Sequence, residues 1–303
     1  MRVFHAIYLS FLLCFTLATQ TIFAQVDFGE NDFLISNVGA RYPIFYNAYD
    51  PAIAFNGSAN EYLVAWTAPD DGHFSDYGQY EVYVQRFDAL TMTAIGSPLM
   101  LTDDAWDDAA DAEDPAVVYN SIENEYLVVW TDDELGVTDN EFEVFGQRID
   151  AATGNLVGTN QFRISDMGPD YDYQYDARQP AVAFNSTDNE YLVVWYGNET
   201  HNTYGEPDQE IYCQRLDGAT GAEIGVNDFP SSEMDVDADD RRSGIQPTVV
   251  YNSNDNEYLV AWAGDDESLA NDEYEIFVQR VSATGAEVGY DDFRISGMGP
   301  NGD

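Results

Sequence analysis

Asn189-Glu-Tyr-Leu-Val-Val-Trp195, preceded by Pro180-Ala-Val-Ala-Phe-Asn185, decides the fold because the phrase returns three more times along the chain. The other copies end on Trp66, Trp130 and Trp262, so the four tryptophans stand 64, 65 and 67 residues apart. Each copy is followed by a phrase closing on Gln-Arg (Gln85-Arg86, Gln147-Arg148, Gln214-Arg215, Gln279-Arg280). A Phe-Arg-Ile-Ser type segment comes next, clearest at Phe162 to Ser165 and Phe293 to Ser296. Such a period means that each unit is one supersecondary structure, which buries its apolar surface only against its neighbours.

Within a unit the pattern reads as four short strands, a to d. Strand a is the Pro-led run, with proline at its first position, where a missing amide donor does least harm. Strand b, the Glu-Tyr-Leu-Val-Val-Trp run, is apolar at both alternating sets of positions and is expected to be covered on both faces. Strand c is typified by Glu275 to Arg280, and strand d is the short Phe-Arg-Ile-Ser segment. A tight polar turn, Asn185 to Asn189, joins a to b. A Thr-Gly turn joins c to d, at Gly154, Gly221 and Gly285, where glycine permits positive φ; in the first repeat Thr93 is read at that place.

A four-stranded antiparallel unit, repeated and apolar on both faces, predicts an all-β chain built as a β-propeller of four-stranded antiparallel blades. The Asn-Glu-Tyr-Leu-Val-Val-Trp, Gln-Arg, Thr-Gly and Phe-Arg-Ile-Ser phrases resemble the β-propeller-like repeats of secreted bacterial proteins. The resemblance covers nearly all of residues 28–303 and implies a fold and an extracellular setting, not an activity. Four repeats are read, at about 51–102, 115–165, 180–232 and 247–296. Residues 31–36, Asn-Asp-Phe-Leu-Ile-Ser, match a strand d with no a, b or c before them, and Met298 to Asp303 stop inside a d–a loop. The expectation is therefore an incomplete part of a larger propeller, with four self-closed blades and one spare strand as the alternative. A row of small sandwiches is disfavoured, since about 65 residues fall short of the roughly 100 such a domain uses.

Residues 1–24 carry one Arg, an apolar stretch from Ala6 to Ala18, and Ile22-Phe23-Ala24 before Gln25, which reads as a secretory signal cleaved after Ala24. Residues 25–303 are then the exported repeat domain, and no other apolar run approaches the roughly 20 residues that span a bilayer. That domain keeps only Cys213, so it has no internal disulfide, and the thiol reads as a small apolar filler. The chain has 56 acidic residues against 11 basic ones, all arginine, for a formal charge of −45. This sign argues against nucleic acid and anionic lipid as partners, and it requires cations to support the compact state, as diffuse screening or as bound ions.

The acid gathers in the b–c and d–a loops, which antiparallel alternation places on one rim, opposite the short a–b and c–d turns. Asp235, Asp237, Asp239 and Asp240 form one candidate Ca²⁺ set, and Asp170, Asp172 and Asp176 a second, since calcium takes six to eight hard oxygen ligands. Neither set completes the Asp-x-Asp-x-Asp-Gly-x5-Glu loop, and a solvated acidic face is the competing reading. Trp106, Tyr171, Tyr173 and Tyr175 place flat rings among carboxylates, as a sugar face would need, although the tyrosines also read as packing between blades.

The function expected is a secreted acidic binding scaffold, supported by Ca²⁺, that recognises a glycan or protein surface through its long-loop rim. A glycoside hydrolase-type propeller with paired carboxylates and a purely structural cell-surface module are the alternatives. Scaffold and enzyme part on one observation: an enzyme breaks the repeat symmetry with a unique carboxylate pair lining the central cavity. A sialidase-like reading fails on the missing Ser-x-Asp-x-Gly-x-x-Trp box. The once-per-unit arginines Arg86, Arg148, Arg215 and Arg280 read as structural ion pairs. His73 and His201 lack partners at zinc spacing. The sequon asparagines Asn56 and Asn185 fall on the a–b turn, where side-chain hydrogen bonding accounts for them.

Overall fold

A strand that is apolar at every position has to lie inside a sheet that is itself inside a stack, and the computed structural model puts strand b there. It describes residues 47–69, 80–102, 111–133, 141–169, 175–198, 209–234, 243–265, 269 and 273–298, all within one unit, Leu34–Asp303. The leader and the strand-like residues 31–36 lie outside the described residues. Blade 1 is β1 (Tyr49–Asn56), β2 (Glu61–Pro69), β3 (Tyr80–Asp88) and β4 (Ala94–Met100). Blade 2 is β5 (Ala112–Asn120), β6 (Glu125–Asp132), β7 (Glu143–Asp150) and β8 (Leu156–Arg163). Blade 3 is β9 (Ala177–Asn185), β10 (Glu190–Gly197), β11 (Glu210–Asp217) and β12 (Glu223–Pro230). Blade 4 is β13 (Ser243–Asn252), β14 (Glu257–Asp265), β15 (Glu275–Ser282) and β16 (Glu287–Arg294). Every sheet is an antiparallel meander, and the inner strands β1, β5, β9 and β13 are neighbours in series around the axis of a β-propeller. Among the described residues no helix is long and apolar enough to cross a membrane.

The stack has a direction. Leu63, Ala65, Val82 and Val84 of blade 1 pack on Tyr126, Val128, Trp130 and Phe145 of blade 2. Leu127, Val129, Val144 and Ile164 of blade 2 pack on Tyr191, Val193, Trp195 and Tyr212 of blade 3. Leu192, Val194, Ile211 and Cys213 of blade 3 meet Tyr258, Val260, Trp262 and Phe277 of blade 4 in the same way. Period-2 alternation thus sends leucine forward and the Tyr-x-Val-x-Trp series backward from each strand b. On the forward face of blade 4, Leu259, Ile276 and Phe293 are 39, 42 and 55% exposed.

Each conserved-looking polar phrase of the repeat has a structural use. Arg86, Arg148, Arg215 and Arg280 pair with Glu61, Glu125, Glu190 and Glu257 at the head of strand b in the same blade, at 2.6, 2.7, 2.5 and 2.7 Å. The neighbouring glutamine fills a bulge between strands c and d: the Gln147 side-chain amide donates to the carbonyls of Arg148 and Val157, while its oxygen accepts from the Gln161 amide. On the short-turn rim, Asn56, Asn120 and Asn185 accept the amides of their own a–b turns. Asn120 and Asn185 also donate to Asn189 and Asn256 of the following blade. Asn56 and Asn185 are fully buried in these turns.

Three expectations are corrected. Strand a does not begin at proline: β5 begins at Ala112, ahead of Pro115, and each proline sits in a β-bulge, which also tolerates a missing donor. Strand d is not Phe-Arg-Ile-Ser: β8 runs Leu156–Arg163, starting just after the Thr-Gly turn, and Ile164 and Ser165 lie beyond its end. In the first repeat the left-handed residue of the c–d turn is Met92, with φ 53°, and not Thr93. The threonine pattern explains the shift, because Thr91 bonds Asp88 as Thr153 bonds Asp150, which aligns Met92 with Gly154.

Candidate functional site

The four prolines of strand a converge on the axis. Asp50-Pro51, Asp114-Pro115, Gln179-Pro180 and Gln246-Pro247 line one cavity of about 270 Å³ at the long-loop rim. In each case the residue before proline has left-handed φ: 51° at Asp50, 52° at Asp114, 50° at Gln179 and 54° at Gln246. The register of every inner strand shifts at that place, between Tyr49 and Ala52, Glu113 and Ala116, Arg178 and Ala181, and Ile245 and Thr248. The extra residue re-aims the chain and turns a polar side chain to the axis. Non-glycine residues held in this region cost about 1–3 kcal/mol each, and such strain clusters where a site needs it. Four equivalent instances around one cavity mark the axial mouth as the candidate site.

The mouth breaks the repeat symmetry, with carboxylates in blades 1 and 2 and amides in blades 3 and 4. Burial pushes the Asp114 carboxyl above its ordinary range, the Asp50 charge adds to the effect, and Arg178 opposes it. Glu113 is likewise raised, first by burial and then by Asp111 and Asp114, again against Arg178. Arg178 itself lies 3.6 Å from the centroid of the Phe142 ring and donates through Nε to Asp176 at 3.2 Å. Tyr49, which precedes Asp50 in β1, pairs its ring with that of Tyr80, centroids 6.1 Å apart. Chemically, this is a polar cup in which one carboxyl holds its proton more readily than a free aspartate does, beside a second carboxylate and two neutral amides.

Among the described residues, several acids of this rim are engaged in holding main-chain and indole donors. Asp111 Oδ1 accepts the Tyr80 amide from blade 1, and Asp176 Oδ1 accepts the Phe142 amide from blade 2. Asp133 accepts the Asp111 amide and Asn198 the Asp176 amide. Asp132 and Asp133 are buried, and Asp132 accepts from Trp130 Nε1, so they are not solvated loop acids. Of the residues proposed from sequence, Asp176 is therefore a tether between blades, and Tyr175 is a half-buried ring packed at the interface of blades 2 and 3. Trp106, Tyr171, Tyr173, Asp170, Asp172, Asp235, Asp237, Asp239 and Asp240 lie outside the described residues. Among the described residues no group of three or more His, Cys, Asp or Glu is placed to hold a metal ion. Sequence reasoning passed over Asp50, Asp114, Gln179 and Gln246, although a polar residue before proline at the same place in all four repeats was the available signal.

No protein-family model and no curated protein sequence matches the chain. Solved structures do. A Hadza microbial sialidase matches with 9% identity and a TM-score of 0.50, over 81% of this chain and 47% of its own. The exo-β-1,3-galactanase of Phanerochaete chrysosporium gives 15% identity and a TM-score of 0.45, over 80% of this chain and 49% of its own. The endo-arabinase of Bacteroides thetaiotaomicron gives 15% and 0.48, over 82% and 81%. The likeness is one of fold. The chain spans less than half the length of the sialidase and of the galactanase.

Proposed function

We propose that the long-loop face of this extracellular propeller binds a glycan at the axial mouth. What carries the reading is the ring of four strained turns, whose common result is a set of hydrogen-bonding side chains around one cavity. Carboxylates accept from sugar hydroxyls, amides both donate and accept, and the paired Tyr49 and Tyr80 rings offer apolar faces. The fold is one on which a sialidase is built. The test is titration of the mature chain with a panel of neutral and acidic oligosaccharides. Asp50→Asn with Asp114→Asn is expected to weaken binding at least tenfold while leaving the melting temperature within a few degrees. Undiminished binding by the double variant would move the site elsewhere, and no binding to any glycan would leave the structural-module reading.

One observation favours a second reading, a glycoside hydrolase. The carboxylate pair at the mouth is contributed by blades 1 and 2 alone of the four, and burial raises Asp114 above the ordinary aspartate value, while glycosidic cleavage uses two carboxyl groups. Under that reading Asp114→Asn lowers release of reducing sugar by about 10²–10⁴-fold and leaves binding in place.

Calcium support of the acidic loops belongs to the same proposal. Chelator-treated mature chain should melt higher with millimolar Ca²⁺ than with NaCl of matched ionic strength. A site at 100 times its Kd adds about 2.7 kcal/mol, whereas equal rises in both salts would mean screening alone.

A further inference from the structure

The outer strands of blades 2 and 3 carry a phenylalanine that blade 1 lacks. Phe162 stands opposite Gly146 and Phe229 opposite Cys213, while Leu99 stands at the same register opposite Val84. The Phe162 ring lies against Gly221 in the c–d turn of blade 3, where an added Cβ would meet the ring at 3.1 Å. Phe229 lies on Gly285 of blade 4 in the same way, at 3.2 Å. The equivalent glycine of blade 2 is Gly154, and an added Cβ there would meet only the Arg86 side chain, at 3.4 Å for Nη1.

Blade 1 is also shorter at this point. Ile95 and Leu99 bracket its bulge where Val157 and Phe162 bracket that of blade 2, one residue longer. Pro98 stands where Gln161 and Asp228 donate their amides to Gln147 and Gln214. The outcome is a half-open groove of about 360 Å³ between blades 1 and 2, with Leu63, Val84 and Ile149 as its floor, Ile95 and Leu99 on its wall, and Arg86, Ser97 and Thr153 at its rim. Leu63, Val84 and Ile149 are 1, 3 and 1% exposed, so the floor is as apolar and fixed as the core.

We propose that this slot binds a small neutral aromatic compound, whose ring takes the place held by Phe162 and Phe229 at the next two interfaces. The volume suits a small ligand lying with one face on the apolar floor and its edge toward solvent. Arg86 gives Nε and Nη2 to Glu61 at 3.0 and 2.6 Å, which leaves Nη1 at the slot as a donor to a ring substituent. An anionic ring would meet the repulsion of a chain with formal charge −45. The slot lies against the outermost strand, β4, whereas the axial mouth lies on the innermost, so the two assignments stand or fall separately.

The test is NMR titration of the mature chain with phenol, using cyclohexanol as the non-aromatic control. The expected result is saturable phenol binding with NOEs from the ring protons to the methyls of Leu99 and Ile149. Leu99→Phe should weaken phenol binding at least tenfold and raise Tm by about 2–4 °C by filling the slot. Leu99→Met, a milder change, should leave binding detectable with the NOEs to the Ile149 methyls retained. Non-saturable shifts, saturable binding without those NOEs, Leu99→Phe binding phenol as tightly as the parent, or cyclohexanol binding equally well would each overturn the proposal. If Leu99→Phe does not fold, the NOEs in the parent chain and in Leu99→Met decide.

Discussion

Trp195→Ala is expected to cost the chain about 3–5 kcal/mol of folding stability, read as a lower denaturant midpoint. The indole is fully buried, stacks on Tyr212 with centroids 6.5 Å apart, and faces Leu127, Val129, Val144 and Ile164 of the preceding blade. Its removal takes a large apolar surface from the interface and leaves a cavity that two rigid sheets cannot close. Tyr290→Ala makes the control, since that ring is 84% exposed and its loss should stay within about 0.5 kcal/mol. A Trp195→Ala midpoint equal to that of the control would mean that blades 2 and 3 do not stack as described.

The second large effect is a proton. The Glu143 carboxyl lies buried at the head of β7, held by the Ser165 hydroxyl, the Arg163 guanidinium and the Met167 amide. Burial pushes its pKa from 4.5 up to about 7, against the pull of Arg163 and the hydrogen bonds. Because the folded value lies above the unfolded one, the folded chain keeps a proton that the open chain releases. The contribution is full below pH 4.5 and is lost as pH climbs through 7, a swing of about 3 kcal/mol at roughly 1.4 kcal/mol per unit. Asp292, also pushed up to about 7 by burial, titrates in the same window, so the isolating measurement is the difference between the parent and Glu143→Gln across pH 4 to 8. The glutamine keeps the shape and removes the titration; the gap between the two curves should change by about 3 kcal/mol across this range, and parallel curves would show that the Glu143 pKa is the same in the folded and the open chain. Asp88, Asp150 and Asp217 do not blur the window. Hydrogen bonds from their turn threonines lower them, so what they contribute is lost only as pH falls below the ordinary aspartate range.

The blades were legible because their cause is periodic: Tyr-Leu-Val-Val-Trp carries its two faces in its own alternation, and Gln-Arg recurs wherever a bulge and an ion pair recur. The axial mouth was hidden because its cause is a dihedral angle. Asp114-Pro115 looks the same in sequence whether the proline opens a strand or sits in a bulge, and only φ 52° turns Asp114 to the axis. The acid was hard to read for a different reason. Asp111, Asp132, Asp133 and Asp176 belong by composition to a solvated acidic rim, yet they accept main-chain or indole donors, which no local pattern announces. The absent ring at Leu99 was visible as a departure from the Phe of its sister repeats, but its meaning needed the glycine of the next blade.

The one-way packing of leucine faces on tryptophan faces makes the four blades a ratchet in energy. Among the described residues, blades 2 and 3 each offer a leucine face to the blade that follows and a tryptophan face to the blade before. In a stack whose stability is a sum of units and nearest-neighbour interfaces, a defect cut into one such interface loosens both blades that share it. A repeat that looks uniform residue by residue therefore carries a polarity, so that the same substitution on the leucine face and on the tryptophan face strikes opposite neighbours.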